Sequence, residues 1–233
     1  MMKFKDLDML IPGLLSLAVC GTASATLIVD HPPLNSGGPA ADTEFINSSN
    51  DPSWQQLADD FQVTQDAVIR RISWWGFYGS SSLEEVEPPP VTETMRARIY
   101  GARASDGLPD DANILFEESF LSPSREATGR IVFVGPGPPE FKFEVDLTSP
   151  FALEAGTPYW LEIVQVGDIN SLFRWEYGPT ERTGHAFRHN LIVDWTHTFS
   201  ADADLAFQLS TIPEPISLLI WAIGIVTWGR RKR

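Results

Sequence analysis

The segment FKFEVDL, residues 141–147, decides the fold class that the sequence predicts. Its apolar residues Phe141, Phe143, Val145 and Leu147 alternate one by one with charged residues. Because successive side chains of a strand point to opposite faces, this alternation is typical of a strand with one buried face and one wet face. The segment therefore predicts a strand in a sheet that covers a core.

The same alternation occurs in TMRARIY at 94–100 and in DLAFQLS at 204–210. Further candidate strands are DDFQV, AVIRRISWWGFY, NILFEESF, RIVFV, YWLEIVQV, LFRWEY and HAFRHN. Turn-rich joins separate them, including ASDGLPDDAN and LEAGTP, and no long segment of helical period precedes the C-terminal tail. We predict an all-β body at 26–211, an antiparallel two-sheet sandwich that is jelly-roll-like.

Composition limits the partners and the source of stability. The chain of 233 residues carries 31 acidic against 17 basic residues and a formal net charge of −14. Such a surface repels nucleic acid, because counterion release from phosphates cannot favour its binding. The only cysteine is Cys20, so the body has no disulfide and its stability must come from core packing or from a metal ion.

The N-terminus has the pattern of a Sec-type signal peptide. An apolar run over Met9–Cys20 follows a weakly basic start, and Ala23 and Ala25 supply the small residues that signal peptidase reads. We predict a signal helix within 1–25 and cleavage before Thr26.

A lipoprotein signal is an alternative that the sequence leaves open. Leu17–Cys20 reads Leu-Ala-Val-Cys and roughly resembles a lipobox. Val19 is bulky where that motif has a small residue, which favours the ordinary signal peptide. In the lipoprotein case the mature chain begins at a lipidated Cys20.

The C-terminus predicts a marginal transmembrane helix. The segment Ile216–Trp228 carries no charge, and as a helix it rises about 20 Å, against a hydrocarbon core of about 30 Å. Flanking residues and snorkelling basic side chains can complete such a span. Positive residues stay in the cytoplasm, so Arg230, Arg231, Lys232 and Arg233 predict a cytoplasmic C-terminus and an external body. A buried C-terminal helix is the alternative.

Together, the triplet Pro213-Glu214-Pro215, the apolar segment and the basic cluster resemble a PEP-CTERM sorting signal over 212–233. The resemblance implies recognition of Pro213, Glu214 and Pro215 by an exosortase, an intramembrane transpeptidase. It also implies transient residence in the inner membrane, removal of the tail, and delivery of the body to the cell surface or to extracellular polysaccharide. These three residues are then a substrate sequence and not a catalytic site.

The body has a resemblance of its own over about Trp54–Ser210. The segments QLADDFQV, ISWWGFY, RARIYGARASDGLPDD, LTSPFALEAGTPYWLEIV and DLAFQLS occur in this order. The body resembles a β-sandwich common among secreted bacterial PEP-CTERM proteins. That resemblance implies no functional residues for the body.

No catalytic motif appears in the sequence. The chain has no G-x-S-x-G turn, no P-loop and no G-x-G-x-x-G loop. His185 and His189 are four apart, with Asp194 and His197 nearby, but on a strand such a spacing is about 13 Å and too wide for one metal ion. We predict that the protein is not an enzyme.

A structural calcium ion is the one cofactor that the sequence suggests. Ca²⁺ takes six to eight hard oxygen ligands, and the loop DGLPDDAN offers Asp106, Asp110 and Asp111. We predict a calcium site at these three residues. Further acidic pairs with suitable oxygens are Asp59-Asp60 and Asp202 with Asp204.

Tryptophans suggest a second ligand class. Exposed aromatic rings suit sugar binding, since a pyranose face stacks on an apolar ring, and we select Trp75, Trp175 and Trp195 as candidate glycan contacts. Adjacent Trp74 and Trp75 are expected on opposite faces of one strand. Two hypotheses result, a structural surface protein on display and a carbohydrate-binding module that holds secreted polysaccharide. An exposed row of rings favours the second, and buried tryptophans favour the first.

Overall fold

The computed structural model describes residues 25–34, 36–41, 55–79, 88–132, 137–166, 172–179, 184–189, 192–197 and 203–211. These residues form strands, turns and loops and no helix. Among them, none forms a helix of the length and apolar character needed to cross a membrane. The expected signal helix up to Ser24 and the expected tail at 212–233 lie outside the described residues.

The first sheet holds both the beginning and the end of the described chain. Its strands in spatial order are β1 (Leu27–His31), β14 (Phe207–Ser210), β3 (Ala67–Gly79), β7 (Pro139–Leu153) and β6 (Ser124–Ile131), and β9 (Leu172–Trp175) also pairs with β3.

The second sheet also has six strands, and a short ribbon accompanies it. In spatial order the strands are β12 (Ile192–His197), β11 (Ala186–His189), β2 (Gln55–Gln62), β8 (Pro158–Val166), β4 (Thr94–Ala102) and β5 (Pro109–Leu121), and the ribbon pairs β10 (Tyr177–Gly178) with β13 (Asp204–Leu205).

All pairings between these strands are antiparallel, and the all-β sandwich predicted from the alternating pattern is confirmed. The segment that predicted it lies in β7, where Phe143, Val145 and Leu147 are buried. Trp74 of β3 lies directly opposite Phe143 in the register.

The main core lies between the two sheets. Trp74 and Phe143 stack at its centre, with ring centroids 5.3 Å apart and an interplanar angle of 2°. The second sheet covers them with the apolar residues that alternate along β4 and β8. Those two strands contribute Met95, Ala97, Ile99, Tyr159, Leu161 and Ile163.

A second, smaller apolar cluster lies on the opposite face of β4 and β8. Tyr100 and Trp160 alternate with the core residues of these strands and therefore point away from the main core. They pack with Trp195 of β12, whose ring meets that of Tyr100 edge-on at 5.8 Å. The cluster is completed by Ala58, Leu108 and Ala186.

Two ion pairs between strands on opposite sides of the second sheet enclose this smaller cluster. Arg103, just after β4, bonds Asp194 of β12 at 2.5 Å. Arg188 of β11 bonds Asp111 at the start of β5 at 2.6 Å. The guanidinium of Arg188 also lies 4.4 Å from the ring centroid of Trp195. The sheet therefore curls around its own outer aromatic residues.

The chain changes from the second sheet to the first at Ser122 and Pro123, between β5 and β6. Ser122 is the one non-glycine residue with positive φ among the described residues, at 49°. Its N–H donates to the carbonyl of Glu93 at 2.7 Å, which holds this sharp turn against the loop before β4.

The two ends of the body lie side by side. β1 and β14 are antiparallel neighbours, with Leu27 opposite Ser210. Beyond them, Thr26 N–H donates to the Thr211 hydroxyl at 3.0 Å, and Thr211 N–H donates to the Thr26 carbonyl at 3.0 Å. The first and last strands therefore fix each other.

Replacing Phe143 with Ala is expected to destabilise the fold by about 3–5 kcal/mol, because it empties the space beneath Trp74 in a closed core. Denaturant unfolding measures the change. Leu121→Ala is the control, since Leu121 is 77% exposed and its truncation should change stability by less than about 0.5 kcal/mol. Equal losses in both variants would contradict this description of the core.

Candidate functional site

The residues of the predicted sorting signal, Pro213, Glu214 and Pro215, and its basic cluster Arg230–Arg233 lie outside the described residues. Of the predicted signal-peptidase site, Ala23 also lies outside. Ala25 is exposed and Thr26 begins the body next to its last described residue, Thr211.

The candidate glycan contacts are buried. Trp175 has no exposed surface, and its Nε1 donates to the carbonyl of Ala206 at 2.8 Å. Trp195 is 3% exposed and Trp75 is 8% exposed. This burial corrects the expectation that these three rings are open to a sugar. As expected, Trp74 and Trp75 point to opposite faces, with only Trp74 in the main core.

The acids chosen for calcium bond other groups. Asp106 bonds Arg103 at 3.0 Å and accepts a hydrogen bond from Leu108 N–H. Asp110 accepts from Ala112 N–H at 3.0 Å, and Asp111 pairs with Arg188. Arginines compensate two of the three charges, and these acids are not in the group of described carboxylates that converges, so the arrangement does not favour the predicted calcium site at Asp106, Asp110 and Asp111, which stays a prediction.

His185 and His197, two of the histidines that the sequence singled out, contact different groups. His185 is buried, its Nδ1 lies 2.8 Å from the carbonyl of Ala203, and burial lowers its pKa. His197 is exposed, with its ring 6.3 Å from that of Trp160.

One group of three carboxylates does converge in the described part of the chain. Asp59, Asp60 and Asp204 each place one oxygen within 4.8 Å of the oxygens of the other two. Asp59 and Asp204 have no exposed surface, and Asp60 is 6% exposed. We call this group the buried aspartate cluster.

The alternation of β2 explains why Asp59 is in the interior. Leu57, Asp59 and Phe61 share one face of the strand, and Leu57 and Phe61 belong to the main core. Asp204 comes from β13, far away in sequence, and Leu205 next to it donates its N–H to Asp59 Oδ2 at 2.9 Å.

Only one oxygen of Asp59 is bound. His31 Nδ1 lies 3.4 Å from Oδ2, on the same side as Leu205 N–H. Oδ1 is buried and has no hydrogen-bond partner within the described part of the chain. Asp204 accepts a hydrogen bond from Gly184 N–H at 3.1 Å.

The pKa of Asp59 is raised to about 7, chiefly by burial and to a smaller extent by the nearby Asp204. The contacts with His31 and Leu205 N–H act in the opposite direction. Because the carboxyl is removed from water, its charge is costly unless another group compensates it.

Chemically, the cluster can bind a proton or a cation. Its position in the interior closes it to a substrate, whereas oxygen ligands that converge from two strands suit a small hard cation.

A separate open groove of about 450 Å³ lies at one end of the second sheet. Phe151, Tyr159 and Leu115 form its apolar lining, and Asn113 and Glu154 are polar groups in it. It is of the size that small ligands occupy.

A model of a family described as a domain of unknown function, DUF7901, matches residues 31–210. The chain belongs to this DUF7901 family. No curated protein matches the chain.

The matched part of the DUF7901 domain begins at His31 and contains the whole aspartate cluster. Sequence reasoning named Asp59-Asp60 and Asp204 as oxygen donors but preferred the loop at Asp106. One signal in the sequence pointed to Asp59 on β2. Leu57, Phe61 and Val63 alternate as apolar residues, and Asp59 occupies the position in this series where an apolar residue is expected.

Replacing Asp59 with Asn should remove a pH-dependent loss of stability from the DUF7901 domain in EDTA. The pKa of Asp59 in the folded state is above its ordinary value, so wild-type stability is full below about pH 4 and falls as the pH rises to about 7. Relative to wild type, the variant should gain on the order of 3 kcal/mol between pH 4 and pH 8, measured by denaturant unfolding.

Glu126→Gln is the control for this measurement, because Glu126 is an exposed acid on β6. It should follow the wild-type pH profile. Parallel profiles of Asp59→Asn and wild type would rule out a raised pKa at this carboxyl.

Proposed function

We propose that this protein is exported and displayed as a structural component of the cell surface or extracellular matrix, and that its tail is a PEP-CTERM sorting signal. A Sec-type signal is removed before Thr26. The tail at 212–233 then holds the body outside, with Arg230–Arg233 in the cytoplasm. An exosortase recognises Pro213, Glu214 and Pro215 and removes the tail.

The adjacency of Thr26 and Thr211 is the observation that carries this proposal. Both targeting segments join the body at the same edge of the first sheet, next to the paired strands β1 and β14. Removing either segment therefore leaves every described strand pairing in place. A body built in this way suits processing at both ends followed by display.

The order of strands supports the finer expectation of a jelly roll. In the first sheet, β1, β14, β3 and β7 are neighbours in that order, and in the second, β2, β8, β4 and β5. A long antiparallel pair that folds over on itself produces this alternation between sheets. We therefore propose a jelly-roll-like sandwich with β6 added at one edge.

The interior of the body supports a structural role over catalysis. The described tryptophans Trp74, Trp75, Trp160, Trp175 and Trp195 are all buried, so they stabilise the sandwich and offer little surface to a ligand. The acids that converge are enclosed in the interior. We propose that no reaction takes place in this domain.

Carbohydrate binding is a second candidate, and the groove at Phe151 is the observation that favours it. The ring of Phe151 is half-buried, and the polar residues Asn113, Glu154 and Thr157 belong to the same groove lining. An apolar ring with amide, carboxylate and hydroxyl neighbours suits the two kinds of surface on a pyranose.

Changing Glu214 and Pro215 together to Ala should leave the protein in the membrane with its tail intact, because the exosortase no longer recognises it. Fractionation of exosortase-bearing bacteria and intact-mass measurement follow the tail. Ser217→Ala, two residues beyond the triplet, is the control and should be processed normally. Wild-type protein in cells that lack the exosortase should behave like the double variant. Normal removal of the tail from the double variant would refute the sorting proposal.

Phe151→Leu should weaken binding to extracellular polysaccharide roughly tenfold if the groove binds glycan, since it removes a stacking ring and keeps apolar volume. Affinity electrophoresis of the processed protein in polysaccharide gels measures this. Phe116→Leu is the matched control, because Phe116 touches Phe151 but does not line the groove. Absence of retardation for the wild-type protein would exclude the second candidate.

A further inference from the structure

We propose that Asp59, Asp60 and Asp204 bind one Ca²⁺ ion inside the folded domain. This site goes beyond the proposed display function and does not depend on it. The proposal rests on convergence of the three side chains, on an unsatisfied buried oxygen and on the chemistry of the ligand set.

The convergence is the first observation. Two of the acids are neighbours on β2, and the third lies on β13 near the end of the chain, yet one oxygen of each falls within 4.8 Å of the other two. Opposite oxygens around a Ca²⁺ ion are about 4.6–5.2 Å apart, since each lies 2.3–2.6 Å from the metal. The three oxygens are therefore close enough to share one such ion.

The unsatisfied oxygen is the second observation. Asp59 has no exposed surface. Its Oδ1 has no hydrogen-bond partner among the residues that the structure describes, while Oδ2 has Leu205 N–H and His31. A buried carboxylate oxygen without a donor is costly, and folded proteins rarely leave one in this state. A cation at Oδ1 removes that cost.

The electrostatics of Asp59 agree with a cation. The three carboxylates are buried and lie within a few ångströms of one another, so their negative charges repel one another when all are ionised. A divalent ion reverses this repulsion and makes ionisation favourable.

The ligand set selects the kind of metal. Three carboxylates are hard oxygen ligands, which suit Ca²⁺ and not the metals that prefer sulfur or imidazole. His31 faces Oδ2 of Asp59 at 3.4 Å, where it orients the carboxylate as a neighbour of the ligands. Ca²⁺ tolerates irregular geometry better than Mg²⁺, which suits oxygens that come from adjacent residues of one strand.

The ion would connect distant parts of the chain. Asp59 lies on β2 of the second sheet. Asp204 lies on β13, and only Leu205 and Ala206 separate it from the start of β14 in the first sheet. Because the body contains no cysteine, such a cross-link would supply a constraint of the kind that a disulfide gives.

The test uses the full chain in a nonionic detergent, stripped with EDTA and titrated with CaCl₂. Calorimetry and native mass spectrometry should give one Ca²⁺ per chain with a Kd of about 10⁻⁴ M or tighter. At a hundredfold excess over Kd, the melting temperature should rise by roughly 5–10 °C. Asp204→Asn should weaken binding at least tenfold, in accordance with the loss of one charged ligand.

The matched control is Asp106→Asn combined with Asp110→Asn, which removes two acids from the loop that the sequence favoured. It should bind Ca²⁺ as the wild type does. The proposal would be overturned if the folded wild type did not bind Ca²⁺. It would also be overturned if the control variant lost Ca²⁺ binding while Asp204→Asn kept it.

A second readout applies if Asp204→Asn does not fold. Asp60→Asn then replaces it, and hydrogen exchange on the wild type is followed with and without Ca²⁺. The ion should slow exchange at the amides of Gly184 and Leu205, which bond the cluster, and leave Ala112, whose amide bonds Asp110, unchanged. Equal exchange at Leu205 in both conditions would contradict a site at these aspartates.

Discussion

The stack of Trp74 on Phe143 is the contact on which the rest of the sandwich depends. It joins β3 to β7, the two longest strands of the first sheet, through two rings in the main core. Because side chains alternate along a strand, fixing these two rings inward fixes the facing of their neighbours up to the irregularity between Ile69 and Arg71. The polar residues Ser73 and Glu144, which flank the stack in the same register, are then turned outward and bond each other.

The second sheet uses its outer face differently. This face is not simply a polar surface. Beside Tyr100 it buries an arginine and a glutamate whose charges neutralise each other. Arg96 lies 3.2 Å from Glu162, and the Tyr100 hydroxyl donates to the same carboxylate. Burial raises the pKa of Tyr100, so the hydroxyl keeps the proton that it donates. Such a network adds little net stability but requires each partner, since removal of one leaves a buried charge uncompensated.

Local alternation in the sequence predicted the class of fold, because a period of two is visible in segments such as FKFEVDL. It also placed Trp74 and Trp75 on opposite faces. It did not predict that Trp175 and Trp195 are buried, since their burial depends on contacts with Phe207 and Tyr100 from distant strands. The charge balance of the loop at Asp106 was equally hard to foresee. Arg188 reaches Asp111 from a distant strand only after the second sheet has curled, whereas Arg103 pairs with Asp106 three residues further along the chain. Asp59 and Asp204 are distant in the sequence, and no local pattern brings them together.

The meeting of Thr26 and Thr211 makes the body a nearly closed loop of chain in three dimensions. A short peptide could join these two residues, and new ends could be opened at the turn of Ser122, where the chain passes between sheets. The domain can equally be inserted as a whole into a surface turn of another protein, because Thr26 and Thr211, at its two ends, are hydrogen-bonded to each other. In evolutionary terms, such a body can be moved between genes as one unit. Its gene can acquire or exchange a targeting segment at either end without a change in any strand pairing.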